Sequence, residues 1–154
     1  MTRVHSMTCR LAAACLFGSF AGATLAQTCG SPLPLPPGGM VETTSCGQMF
    51  DGGAVSGPGA VLDFTLEHPS SVTFGVFASQ FTPSVCVLPA GDCGTGTCIA
   101  TGDAGRPASV DPLPEGSYWV IVTASPFDAP GACGLFELVN DTQAADTILA
   151  DGFD

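Results

Sequence analysis

Residues 113–124, Leu-Pro-Glu-Gly-Ser-Tyr-Trp-Val-Ile-Val-Thr-Ala, constrain the fold of this chain more than any other stretch. Pro114 and Gly116 mark a turn, and residues 117–123 then carry aromatic or β-branched side chains at almost every position, which is the composition of a buried strand. A buried strand needs neighbours, and the preceding chain reads as shorter strands able to pair beside it.

Two of these alternate with period two, the pattern of half-buried strands. Leu62, Phe64 and Leu66 face opposite to Asp63, Thr65 and Glu67, and Val72, Phe74 and Val76 repeat the pattern after a turn at His68-Pro69-Ser70. The two are expected to form a hairpin. Residues 84–88 set Val85 and Val87 against Cys86, and residues 134–140 set Leu135, Glu137 and Val139 against Phe136 and Leu138. Residues 40–45 are a further strand, and 98–101 and 108–110 are shorter ones. The Gly-rich stretch 47–59 and the Pro-containing stretch 125–131 read as loops. Residues 142–150 offer at most a weak helical turn. Strand signals about ten residues apart, with Gly and Pro between them, predict an all-β antiparallel sandwich or barrel of seven or eight short strands.

The first 26 residues stand apart. Arg3 and Arg10 precede an apolar, Ala-rich run, and Thr24-Leu25-Ala26 presents small residues where a signal peptidase reads, so cleavage is expected before Gln27. The run is shorter than the roughly 20 residues of a membrane span. Residues 27–39 hold Pro32, Pro34, Pro36 and Pro37 and are expected to form an extended strap unable to donate to a sheet. The domain proper is expected over 40–140, with an acidic tail over 141–154.

Beyond residue 26, one arginine, Arg106, faces 14 acidic residues, a formal charge of −13. Such a chain cannot neutralise a nucleic-acid backbone, and it is repelled by anionic lipid. The acidity is expected to serve solubility outside the cell. Six cysteines remain in this part, and in an exported chain they read as three disulfides. Proximity along the chain suggests Cys93–Cys98 around Gly-Thr-Gly-Thr, Cys29–Cys46 at the strap, and Cys86–Cys133 by remainder. Zinc is disfavoured, because Cys93-x4-Cys98 has no second matching pair and His68 is the one histidine past the leader.

Catalysis finds little support. His68, before a proline in a turn, is the one imidazole available to activate a nucleophile, and no Gly-x-Ser-x-Gly elbow occurs. Asp92, Asp103 and Asp111 fall in loops able to approach one another at one edge of a sandwich and are the candidate calcium ligands, although no Asp-x-Asp-x-Asp spacing accompanies them. Trp119 is the candidate exposed binding aromatic if one sheet face is open. Asn140-Asp141-Thr142 matches a glycosylation sequon.

The succession Val-Leu-Asp-Phe-Thr-Leu, Ser-Val-Thr-Phe, a cysteine-bracketed loop, Leu-Pro-Glu-Gly-Ser-Tyr-Trp-Val-Ile-Val and Cys-Gly-Leu-Phe-Glu-Leu resembles the bacterial pre-peptidase C-terminal domain over roughly residues 41–139. That family's Gly-x-Tyr-x-hydrophobic-x-Val signature falls on Gly116, Tyr118, Val120 and Val122. The resemblance implies a jelly-roll-like β-sandwich that is noncatalytic, usually appended to secreted hydrolases, and sometimes binds calcium or an extracellular polymer. No catalytic domain is expected beside it in residues 27–154, so an accessory role is expected to be exercised alone or in trans. The ending Asp-Gly-Phe-Asp resembles the acidic tails of many exported bacterial proteins. The expectation is a secreted or periplasmic binding or accessory module, free of cofactor unless calcium binds, whose partner is an extracellular polymer or protein. The alternative is a structural envelope-surface protein displayed through its tail.

Overall fold

The computed structural model describes residues 28–145; the expected leader and the end of the tail lie outside them. Ten strands form: β1 Leu33–Pro34, β2 Met40–Thr44, β3 Gln48–Gly52, β4 Val55–Leu66, β5 Ser70–Ala78, β6 Pro83–Pro89, β7 Ala100–Asp103, β8 Ala108–Leu113, β9 Gly116–Ala124 and β10 Leu135–Ala144. One sheet has the order β2-β10-β5-β8. The other runs β1-β4-β9-β6-β7, with β3 beside β1 on the same edge of β4. Eight of these strands, β2 and β4 to β10, are arranged as a jelly roll. β1 and β3 extend its six-stranded sheet.

The alternation seen in the sequence sorts side chains between faces. Leu62 and Phe64 of β4, Val85 and Val87 of β6, and Val120 and Val122 of β9 meet Val72, Phe74, Phe136 and Leu138 of the opposite sheet in one core. Phe64 and Phe74 meet across it edge to face, with ring centroids 5.1 Å apart. Tyr118 joins this core and donates its hydroxyl proton to the carbonyl of Pro114 at 2.8 Å, bracing the turn into β9.

The expected hairpin of β4 and β5 does not form. Strand β4 pairs with β9 and β5 with β10, so the His68 turn crosses between the sheets. Both strands need apolar cover on their inward faces, and a crossover turns those faces toward each other. The Gly-rich stretch expected as a loop instead pairs as β3 with the start of β4, from Gln48 opposite Gly59 to Gly52 opposite Val55. Strand β10 runs to Ala144, so residues 142–144 are ladder rather than helix.

The strap also joins a sheet. Leu33 and Pro34 lie parallel to Leu62 and Asp63, and the amide of Leu35, the one residue between prolines that can donate there, reaches the Asp63 carbonyl at 2.8 Å. Asn140, only 2% exposed, holds the turn that follows. Its amide nitrogen donates to the carbonyls of Pro36 and Gly39, both at 2.9 Å, and its oxygen accepts from the Gly38 amide at 2.7 Å. A side chain so committed and buried is closed to glycosylation, and the sequon has a structural role in the folded chain.

All three expected disulfides are replaced. Cys29 pairs with Cys93, Cys46 with Cys133 and Cys86 with Cys98. Sheet register, rather than closeness along the chain, decides the partners. Thr44 opposite Leu135 brings Cys46, just past β2, beside Cys133, just before β10. Val87 opposite Ala100 brings Cys98 back to Cys86. The remaining pair ties the strap to the loop at Cys93.

These two bridges help close a second core on the outer face of the six-stranded sheet, where Phe50, Val55, Val61, Cys86, Leu88 and Ile121 are buried. Gly94, at φ 79°, lets the loop lie against this cluster, since a Cβ there would meet Val55 at 2.7 Å and Phe50 at 2.9 Å.

Non-reducing peptide mapping should recover Cys46 joined to Cys133. Chain-entropy reasoning puts the loss from replacing that pair with alanines at about 4–5 kcal/mol and from replacing the Cys86–Cys98 pair with alanines at about 3 kcal/mol. Their separations of 87 and 12 residues set that order, which urea unfolding of the two variants would check.

Candidate functional site

The second core leaves the two sheets unlike. The apolar middle of the outer face of the six-stranded sheet is covered by this core, which includes Cys93 and Cys98, with Thr65 and Ser117 left exposed beside it, whereas the outer face of β2-β10-β5-β8 carries exposed Met40, Phe77 and Leu135. Register arranges this open face in rows. Glu137 of β10 stands between Glu42 of β2 and Phe77 of β5, and in the next row Val139 stands between Met40 and Gly75. Farther along, Thr73 and Ser109 share a hydrogen bond at 3.1 Å.

Phe77 forms a ridge between two recesses. One, of about 420 Å³, is floored by Gly75 and Val139 and walled by the turn of residues 103–107. It exists because Gly75 projects no side chain: a Cβ there would touch only the Phe77 ring, at 3.7 Å. The other, of about 430 Å³, is bounded by Glu42, Glu137 and Leu135. Glu42 directly faces Glu137, and like charges at opposed positions, with Cβ atoms about 5 Å apart, are unfavourable.

The turn between β7 and β8 bears Arg106, the one cation among the described lysines and arginines. Asp103 accepts from the amides of Gly105 and Arg106 at 2.8 and 3.0 Å and from the Arg106 guanidinium at 3.2 Å. The amide of Gly105 first, then the guanidinium, holds the Asp103 carboxyl below the usual carboxylate range. Gly102 is required under this turn, because a Cβ there would collide with the backbone of residues 106–108. Beyond the turn lies a polar cleft of about 590 Å³ lined by Thr82, Ser84, Thr101 and Phe127. Phe127 is 96% exposed, on a loop pinned by the bond from the Thr82 amide to Asp128 at 2.7 Å.

The expected site residues are placed elsewhere. Trp119 is half-buried and packs with the Cys29, Cys93 and Cys98 side chains against the second core, so the exposed aromatics are Phe77 and Phe127 instead. Asp92 lies in the loop between β6 and β7, Asp103 is engaged in its turn, and Asp111 on β8 accepts from the Ser71 hydroxyl. Among the described residues, no three or more His, Cys, Asp or Glu side chains are grouped to hold a metal. His68 is exposed in the crossover between sheets. Sequence reasoning missed the Glu42, Glu137 and Phe77 row, for which the alternation of β5 and β10 was a signal but the strand order was not.

The chain shares the fold of a pre-peptidase C-terminal domain. The solved structure of that domain from a Bacillus anthracis collagenase superposes with a TM-score of 0.51 at 13% identity, covering 71% of this chain and 93% of that one. A periplasmic inhibitor of g-type lysozyme from Aeromonas hydrophila superposes with a TM-score of 0.49 at 16% identity, over 72% of this chain and 96% of its own. No protein-family model matches the sequence. No curated protein matches it. Gly116, Tyr118, Val120 and Val122 all lie on β9, where the last three point into the main core.

Two outcomes are expected. Because the folded-state pKa of Asp103 is depressed, its bonds stabilise the turn above the unfolded aspartate value of about 3.9 and are lost as pH falls through the lower folded value. The Gly105 amide resonance should report that transition below the ordinary aspartate midpoint, and Asp103→Asn should abolish it. Separately, Glu137→Gln should stabilise the isolated chain in urea unfolding by about 0.5 kcal/mol, by relieving the Glu42 opposition.

Proposed function

We propose that this chain is a noncatalytic module working outside the cytoplasm, and that it docks a protein partner through the outer face of β2-β10-β5-β8. The observation that carries the proposal is the contrast between the sheets: the apolar part of one outer face is covered by a second core, while the other leaves Met40, Phe77 and Leu135 about three-fifths exposed on neighbouring strands. Met40 and Leu135 lie on the rows either side of the Glu42, Glu137 and Phe77 row, and such a mixture of aromatic, methionine and polar side chains is found at interaction surfaces.

Three disulfides support an oxidising compartment, periplasmic or extracellular. Among the described residues no helix is long and apolar enough to cross a membrane. The noncatalytic part of the reading is supported by the isolation of His68, the one imidazole in the described region, from both recesses of the face.

Photo-crosslinking in the source cell tests the docking face. Benzoylphenylalanine in place of Phe77 should give a discrete adduct with another protein, and the same group in place of Met49, equally exposed on β3 of the other sheet, should not. Adducts at both positions, or at neither, would remove the reading.

A further inference from the structure

The chemistry of the open face specifies its partner more narrowly than exposure alone. Resting on the docking reading above, we infer that the face takes an extended protein segment presenting an arginine and, two positions along, an apolar side chain. The arginine seats between Glu42 and Glu137 against the Phe77 ring, and the apolar side chain fills the recess over Gly75.

Charge complementarity argues for the first half. Glu42 and Glu137 oppose each other in register, and among the described residues neither takes part in an ion pair. Phe77 completes the same row from β5, 59% exposed. Two carboxylates beside an open aromatic ring match the guanidinium on each of its properties, because the planar fork bonds carboxylates and its face stacks on rings. A lysine would satisfy the charge but could neither bridge the two carboxylates with a planar fork nor stack flat on the ring.

The second half follows from spacing. The Val139 and Gly75 row lies one side-chain repeat from the Glu137 and Phe77 row, about 6.8 Å along the strand. Side chains two apart on an extended partner have the same spacing, so a segment with arginine over the glutamates sets its next side chain on that face over the recess of about 420 Å³. Val139 and the Phe77 ring make that recess apolar. A second copy of this chain is a poor occupant: residues 27–154 carry −13, and their single arginine, Arg106, is bound to Asp103.

The test titrates a short threonine-serine peptide, carrying one arginine and one leucine two positions later, into the natural chain followed by NMR. Shifts should cluster at Glu42, Gly75, Phe77, Glu137 and Val139. The double variant Glu42→Gln with Glu137→Gln should weaken binding about five-fold, the size expected of two partly exposed ion pairs. Asp51→Asn with Asp92→Asn removes the same charge away from this face and should cost less than about two-fold.

Equal weakening in the two double variants would reduce the effect to bulk acidity and overturn the inference. So would unaltered binding of a peptide with glutamine for arginine, or association of the chain with itself in sedimentation. The crosslinking experiment separates this failure from the broader one. An adduct at position 77 that persists in the glutamine double variant leaves the docking face standing and removes the arginine assignment, whereas no adduct in the natural background removes both.

Discussion

The middle of the six-stranded sheet is apolar on both faces, and much of the structure follows from the need to cover it twice. Strand β6 sends Val85 and Val87 inward while Cys86 and Leu88 point out, and β9 sends Val120 and Val122 inward while Ile121 points out. The jelly roll covers only the inward set. The outward set is covered by the loop of residues 89–99, which holds Gly91, Gly94 and Gly96 and has few side chains with which to anchor itself. Ordering so flexible a segment is entropically expensive. Cys29–Cys93 and Cys86–Cys98 restrict it in the unfolded chain as well, which is where such crosslinks act. The strap is drawn into the same arrangement, since Cys29 must reach the loop while Leu35 stays in the ladder beside Asp63.

The four-stranded sheet has no such demand, and its composition differs accordingly. Strand β5 alternates buried Val72, Phe74 and Val76 with less buried Ser71, Thr73 and Gly75, and β10 does the same with Phe136, Leu138 and Asn140 against Leu135, Glu137 and Val139. This is the clean alternation of an antiparallel sheet with one wet side. Phe77, Leu135 and Met40 depart from it, because water is a poor neighbour for all three. Their grouping on one face beside an opposed pair of glutamates means that two local preferences are violated together. Such coincident violations are expected where a surface has a use other than stability.

Period two was plain in the sequence, and it sorted the side chains of β4, β5, β6, β9 and β10 between two faces as the structure has them, without saying for β6, β9 and β10 which face turns inward. Strand order was not. Alternation says which residues share a face and nothing about which strand lies alongside, so β4 and β5 read as a hairpin although they belong to opposite sheets. The disulfides failed for the same reason. Cys46 and Cys133 are 87 residues apart and become neighbours only through the β2 and β10 ladder. Trp119 was legible as lying opposite Tyr118, but its cover comes from a loop whose path depends on the bridges. The Glu42, Glu137 and Phe77 row draws on three strands scattered through the chain, so no short motif could have announced it.

On the proposed docking reading, strand β10 serves both structure and recognition. Its inward side carries Asn140, whose side-chain amide adds a bond to the carbonyls of Pro36 and Gly39, which backbone amides also reach, and accepts from the Gly38 amide, a donor whose loss of its partner would cost about 1–3 kcal/mol. Its outward side carries Glu137 and Val139, which make no comparable bond. Adjacent residues of a strand point to opposite faces, so the outward side can change without disturbing the inward one. If the proposed partner binds there, the face built on β10 trades stability for affinity, since the opposition of Glu42 and Glu137 is relieved by a cation set between them. A partner that supplies the cation gains from the same repulsion that the free domain bears.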